Sequence, residues 1–311
     1  MNILGINISH DTSISFYKNK KITHLYEESR FNNNKNFAIN ENESFLIAID
    51  EKLNFKPDIV CYSSYGRLSF FNKFSNDEKI IKLIQKQLNN PSYFFEKNNH
   101  HIYHATNAFY FSNFEEAMAI VIDGGGAQDK KYPSYQEIES IFYISKEKIV
   151  KKYQHKTNRR FCAITDEIFN YSNYGYKCFT NGTEIEYSSK AVGGMLFNLI
   201  GNMLNLTKES GKIMGLASYS KTEKNYNLEK KRIELAQYAQ DVTFKQTCNL
   251  IEKAYNYKKI KNFILSGGYF LNCSNNFKYV KKYPEINFFV DPNPSDSGTA
   301  SGVCIYYDHY L

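Results

Sequence analysis

The segment Ser-Ile-Ser-Phe-Tyr-Lys-Asn-Lys-Lys-Ile at residues 13–22 is echoed by Ser-Ile-Phe-Tyr-Ile-Ser-Lys-Glu-Lys-Ile at residues 140–149. Each copy reads as two short apolar runs joined by a polar turn, which is a hairpin signal. Each also follows an apolar run that ends in a loop. Residues 2–8 run into Ser9-His10-Asp11-Thr12-Ser13, and Ala117–Ile122 runs into Asp123-Gly124-Gly125-Gly126. A strand, a loop and a hairpin met twice, each time followed by helical segments, predict a duplicated α/β fold with a cleft between its halves. The halves are expected at approximately 1–115 and 116–311, and no Pro/Ser/Gly-rich linker separates them.

Periodicity places further elements. Helices are expected over Glu43–Leu53, Glu78–Leu88, His100 to about Tyr110, 188–206, 227–239 and 241–256, with a short strand at Ile59–Tyr62. The last unit reads strand–helix–strand–helix: Phe263–Ser266, Phe270–Lys281, Ile286–Val290 and Gly298–Tyr307. Residues 154–187 have no clear period and are expected to form an irregular excursion bordering the substrate.

The six cysteines are scattered without a CxxC, which argues against a disulfide framework or a thiolate zinc site and for a reducing compartment. No window approaches 18 continuous apolar residues and no signal peptide opens the chain, so a cytoplasmic location is expected. The net charge of +7 is compatible with an anionic substrate, but diffuse lysine is usually solvated surface.

The chemistry concentrates at a few positions. His100 and His104 are four apart, so on a helix their Cβ atoms lie on one face about 5–6 Å apart, close enough to share a metal. Asp123 ends a buried strand just before Gly124 and Gly125, where a phosphate or a metal–phosphate could approach backbone N–H groups. Two imidazoles and a carboxylate make a facial metal site plausible. Ser266-Gly267-Gly268 leads through Asn272 into a helix, a place for an anion, although a plain tight turn explains a lone Gly-Gly pair better. Asp296 precedes the last helix and reads either as a ligand or as an N-cap. Gly211-Lys212-Ile213-Met214-Gly215-Leu216-Ala217 reads as a functional turn or as an ordinary helix stop.

Taken in order, these stretches resemble the O-carbamoyltransferases of the nodulation-protein-U and cephem/tobramycin carbamoyltransferase type. The resemblance rests on Asn7-Ile8-Ser9-His10-Asp11, Glu27-Glu28-Ser29-Arg30-Phe31, His100-His101-Ile102-Tyr103-His104-Ala105, Val121-Ile122-Asp123-Gly124, the Gly211–Ala217 segment, Gly267-Gly268-Tyr269-Phe270-Leu271-Asn272-Cys273 and Pro294-Ser295-Asp296-Ser297-Gly298-Thr299-Ala300-Ser301-Gly302. It implies an ASKHA-type fold of two ribonuclease-H-like halves. It also implies carbamoyl transfer from carbamoyl-adenylate, made from carbamoyl phosphate and ATP, to a hydroxyl on a sugar or small metabolite.

By the same resemblance His100, His104, Asp123 and Asp296 hold a divalent metal, iron(II) first, with zinc and manganese as alternatives. Gly124, Gly125, Lys212, Gly267, Gly268 and Asn272 face the nucleotide. His10 matches a family histidine at the acceptor end and Lys35 a family basic residue; from its chemistry His10 reads as the base for the acceptor proton, against a plain turn histidine, with Asp11 orienting it or capping the turn. After Arg30-Phe31 the chain lacks the second arginine and the histidine usual in the family. The YrdC-like domain that forms carbamoyl-adenylate in full-size members is not found in these 311 residues, so a YrdC-like partner in trans is expected. Two other functions remain open: transfer to a hydroxymethylated nucleotide or DNA base, and a non-catalytic nucleotide- and metal-binding module.

Overall fold

The computed structural model describes residues 1–35, 37–39, 55–65, 77–89, 91–158, 175–207, 209–221 and 227–311. The expected helix Glu43–Leu53 lies outside the described residues, and so does Cys162. The other five cysteines are free thiols.

Two sheets carry the chain. The first contains β1 (Asn2–Asn7), β2 (Ser13–Lys18), β3 (Lys21–Glu27), β4 (Ile59–Ser63) and β5 (Tyr93–Phe95), in the order β3-β2-β1-β4-β5. The second contains β6 (Glu116–Ile122), β7 (Tyr135–Ser145), β8 (Ile149–Asn158), β9 (Gly175–Thr180), β10 (Thr183–Ser188), β11 (Asn262–Ser266) and β12 (Asn287–Val290). Its order is β12-β11-β6-β7-β8-β10-β9. Read outward from β6, the run β8-β7-β6-β11-β12 repeats the first sheet's arrangement. In both, an antiparallel meander continues into two parallel strands. The repeated hairpin of the sequence is therefore a repeated sheet. The β9–β10 hairpin extends the second copy beyond the pattern.

Covering both faces of a strand removes the alternation expected of a half-exposed one. In β6, Ala117 to Ile122 are all buried. Ala117, Ala119 and Val121 pack with Ala105 and Ala108 of the helix His100–Ser112. Met118, Ile120 and Ile122 face a larger core with Ala236, Ala239 and Ile251 of the helix Asn227–Tyr257. Each fully buried Ile or Met contributes about 1.5–3 kcal/mol of transfer free energy, so this run anchors the second half.

The helix after β5, His100–Ser112, and the helix after β12, Thr299–Tyr310, hold matching places in the two copies. They pack on one another, and Val303, Cys304 and Ile305 of the C-terminal helix also pack with Ile3 of β1, Tyr17 of β2 and Cys61 of β4. The starts of these two helices and the ends of β1 and β6 thus meet at the junction of the halves.

Several expected elements differ. The segment 154–187 is not wholly irregular: β8 runs to Asn158, and β9 and β10 form a hairpin around Asn181-Gly182, both at positive φ. The expected helix at 188–206 is Gly193–Met203, because residue 188 still belongs to β10. Helices expected at 227–239 and 241–256 are one helix, Asn227–Tyr257. Gly211–Ala217 is helical, forming all but the first residue of the helix Ser210–Ala217 and carrying it to its end.

Candidate metal centre

His100 opens its helix and His104 follows one turn later, so both imidazoles project from one face, and both are fully buried. Asp123 follows the last residue of β6. Asp296 begins a short 3-10 turn ahead of the C-terminal helix. The helix N-cap is Gly298, without a side-chain cap, so the carboxylate of Asp296 is free of the capping task and turns toward the histidines.

One ligand atom from each of the four residues fits within 4.8 Å of all the others. His100 Nε2 lies 3.2 Å from Asp123 Oδ2, 3.2 Å from His104 Nε2 and 3.4 Å from Asp296 Oδ1. His104 Nε2 lies 3.7 Å from the same Asp296 oxygen. Both Nδ1 atoms are buried without a hydrogen-bond partner among the described residues. Two imidazole nitrogens pointed at each other beside two carboxylates cannot all be satisfied by direct hydrogen bonds. A divalent cation resolves this, since metal–ligand bonds of about 2.0–2.2 Å put ligand atoms up to roughly 4.4 Å apart. The residues present therefore fit such an ion, and a donor set of two imidazoles and two carboxylates suits iron(II), zinc or manganese.

Electrostatics agree. Burial works against a charge on His100, but the Asp296 and Asp123 carboxylates outweigh it and push the pKa up to about 10. Burial would also raise Asp296, yet the two histidines hold it far below the ordinary carboxylate range. Asp123 is raised by burial and by Asp296, and still ends below its ordinary value because of His100 and His104. A metal must thus displace the His100 proton. Between pH 6 and 9, divalent-metal affinity of the chain should rise about tenfold per pH unit, with about one proton released per ion. Titration calorimetry in buffers of different ionisation enthalpy measures that count; a count of zero would contradict it. In the metal-free chain the sign is opposite. A histidine with a raised folded pKa stabilises fully below about pH 6.5, and that contribution is lost as pH climbs toward about 10.

His101 faces away from the quartet. Its Nδ1 is 3.0 Å from Ser140 Oγ, and Glu137 lies 3.6 Å away. Burial dominates and pushes its pKa down to about 4. His155, which carries no motif, is buried between Glu139 (3.0 Å) and Ser188 (2.8 Å) and links β7, β8 and β10. His10 follows β1, and its Nδ1 is 3.0 Å from Asp11 Oδ2, with Asp11 at φ 55°. The Asp11 hydrogen bond raises the His10 pKa against desolvation, helped by Asp296 and Asp123 across the junction. Ser9 Oγ, one residue earlier, donates to Asp296 Oδ2 at 3.4 Å.

Two glycine pairs, Gly193-Gly194 and Gly267-Gly268, approach the Ile122–Gly124 stretch. A Cβ on Gly268 would sit 3.3 Å from Asp123 Oδ1, and one on Gly194 would sit 2.9 Å from the Gly124 nitrogen. Gly267, at φ +95°, would place a Cβ 2.2 Å from the Ile122 carbonyl oxygen. Gly125 instead packs on Gln136. Sequence reasoning missed Gly193-Gly194; the only signal was a Gly-Gly pair at the start of a helix. The Asn272 side chain is engaged in structure, accepting from the Asn275 N–H and donating to Gln240 Oε1 at 2.6 Å. Lys35 and Lys212, from different halves, both reach the exposed Glu209, each at 3.5 Å and on different oxygens.

No protein-family model matches the chain. An uncharacterised protein of Methanocaldococcus jannaschii is 26% identical over 316 residues, covering 97% of this chain and 56% of that protein. One of Synechocystis sp. is 22% identical over 353 residues, covering 99% and 57%. The chain thus spans little more than half the length of these relatives. Among solved structures, HypF of T. kodakarensis superimposes with TM-score 0.59 at 13% identity, covering 100% of this chain and 48% of its own. Full-length HypF in a phosphate- and nucleotide-bound form gives 0.58 at 10% identity, covering 99% and 55%. ROK hexokinase from Thermus thermophilus gives 0.51 at 10%, covering 99% of each chain. The duplicated sheets and these superpositions together establish an ASKHA-type α/β fold for this chain.

Proposed function

We propose that the chain transfers a carbamoyl group from carbamoyl-adenylate to an acceptor hydroxyl on a sugar or small metabolite. The observation that carries this reading is the quartet. His100, His104, Asp123 and Asp296 come from three distant stretches of motif and meet at the junction of the halves. The HypF form with phosphate and nucleotide bound supports a nucleotide-derived donor on the same fold.

In this reading His100, His104, Asp123 and Asp296 hold a divalent ion, iron(II) first. When bound, the ion supplies Lewis-acid polarisation and offsets negative charge on the donor. Asp11, bonded to Nδ1 of His10, fixes the ring so that Nε2 takes the acceptor proton. The acceptor oxygen then bonds the carbamoyl carbon, the carbamoyl–phosphate C–O bond breaks, and AMP leaves with its electron pair. Gly268 leaves room for the donor phosphate beside Asp123, where a side chain would intrude. Lys35 and Lys212 offer positive charge from opposite halves, held meanwhile by Glu209.

The test supplies purified, iron-loaded chain with preformed carbamoyl-adenylate and a panel of hydroxyl acceptors, and follows AMP and carbamoylated product by mass spectrometry. Metal-dependent product is expected. Phosphorylated acceptor and ADP formed from ATP alone would overturn the reading in favour of kinase chemistry. His10→Ala should lower kcat by about 10²–10⁴-fold while leaving bound metal unchanged. Unaltered kcat in that variant would remove His10 as the base.

A further inference from the structure

Asp291 follows β12 and is only 3% exposed, yet among the described residues no lysine, arginine or histidine forms an ion pair with it. A buried carboxylate without a cation is costly, and its place needs another compensation. Hydrogen bonds supply it. Asn107 Nδ2 donates to both carboxylate oxygens, at 2.9 and 3.1 Å. Ser266 Oγ donates at 2.6 Å and the Asn293 backbone N–H at 3.0 Å.

The donors are distributed in a telling way. Asn107 lies three residues after His104 on the same helix. Ser266 ends β11, directly before Gly267-Gly268. Asn293 begins the loop that carries Asp296. Asn107 is itself held from the other side, its Oδ1 accepting from Ser301 Oγ at 2.6 Å on the C-terminal helix. One carboxylate therefore ties the histidine helix, the Asp296 loop and the glycine turn beside Asp123. An asparagine there would turn an NH2 group toward these donors and break at least one of the bonds.

We propose that Asp291 is a positioning residue of the metal centre: it sets the spacing between His104 and Asp296, and so the affinity and geometry of the bound divalent cation. This rests on the quartet being a cation site. Hydrogen-bonded groups around ligands typically contribute 10–100-fold to metal affinity. The test titrates the full metal-free chain with cobalt(II), following its visible ligand-field absorption alongside calorimetry and thermal unfolding.

Asp291→Asn should weaken cobalt binding about 10–100-fold and alter the band positions in the fraction that binds. Ser266→Ala, which removes one hydrogen bond and no charge, should weaken binding several-fold and serves if Asp291→Asn does not fold. A lower unfolding temperature with unchanged cobalt affinity and spectrum in both variants would overturn the proposal and leave the metal centre standing. Wild-type chain that takes up no cobalt would overturn both.

Discussion

If the proposed function holds, His104→Ala should yield a folded chain that fails to retain a stoichiometric divalent metal and lacks the proposed carbamoyl transfer. The substitution removes one of four ligand atoms from a fully buried cluster and leaves His100 facing two carboxylates alone. Without the ion, His100 keeps its proton, so the two carboxylates retain a counter-charge and the fold survives. The effect on retained metal should be near complete, because an alanine methyl offers no donor and any water entering the polar space left behind is a far weaker ligand than an anchored imidazole. Elemental analysis of wild type and variant after dialysis measures it. Equal metal content in the two would remove His104 from the centre.

Gly267→Val should be the most damaging single substitution in the glycine turns, and it acts on the fold. Gly267 sits at φ 95°, ψ 152°, a region that L side chains hardly enter, which costs of order 1–3 kcal/mol by itself. Its Cβ would also lie 2.2 Å from the carbonyl oxygen of Ile122, an atom of the sheet that cannot move away cheaply. A loss of at least about 3 kcal/mol is expected in urea unfolding, placing the variant among severe core mutations. Its neighbour should behave differently. A Cβ on Gly268 meets only Asp123 Oδ1, at 3.3 Å, so Gly268→Val should fold and lose affinity for an adenylate analogue. Wild-type stability in the first variant, or wild-type affinity in the second, would contradict the respective role.

Much of the fold was legible because the hairpin at 13–22 and its echo at 140–149 carry the same pattern, and the structure pairs both as antiparallel meanders. What escaped has physical reasons. β5 is three residues long, too short to show any period. On β9 the two aromatics, Tyr176 and Phe179, are three residues apart and fall on opposite faces, and little of the strand is buried, so no apolar face stands out. The long helix reads as two because its buried face changes character midway. Between the apolar positions Ala236 and Ala239 and the later ones Cys248, Leu250, Ile251 and Ala254, the buried positions include Gln240, Thr243 and Thr247, and Gln240 and Thr243 are hydrogen-bonded to Asn272 and Asn275. Apolar periodicity is interrupted there although the helix is not.

The buried His/Asp cluster was legible for a different reason. His100 and His104 announce themselves by spacing and Asp123 by ending an apolar run, but Asp296 looked as much like a helix cap as a ligand, and only the resemblance favoured the latter. Asp291 was not legible. Nothing in the sequence separates it from any aspartate that closes a strand, because its importance lies in donors from Asn107, Ser266 and Asn293, brought together by topology alone.

The most direct measurement of the central claim is anomalous diffraction from crystals of the chain loaded with a single divalent metal, collected on both sides of that metal's absorption edge. The account predicts one strong peak bonded to Nε2 of His100, Nε2 of His104 and one carboxylate oxygen each from Asp123 and Asp296. Loaded crystals with no peak among these four residues, or with the ion bound elsewhere, would contradict it.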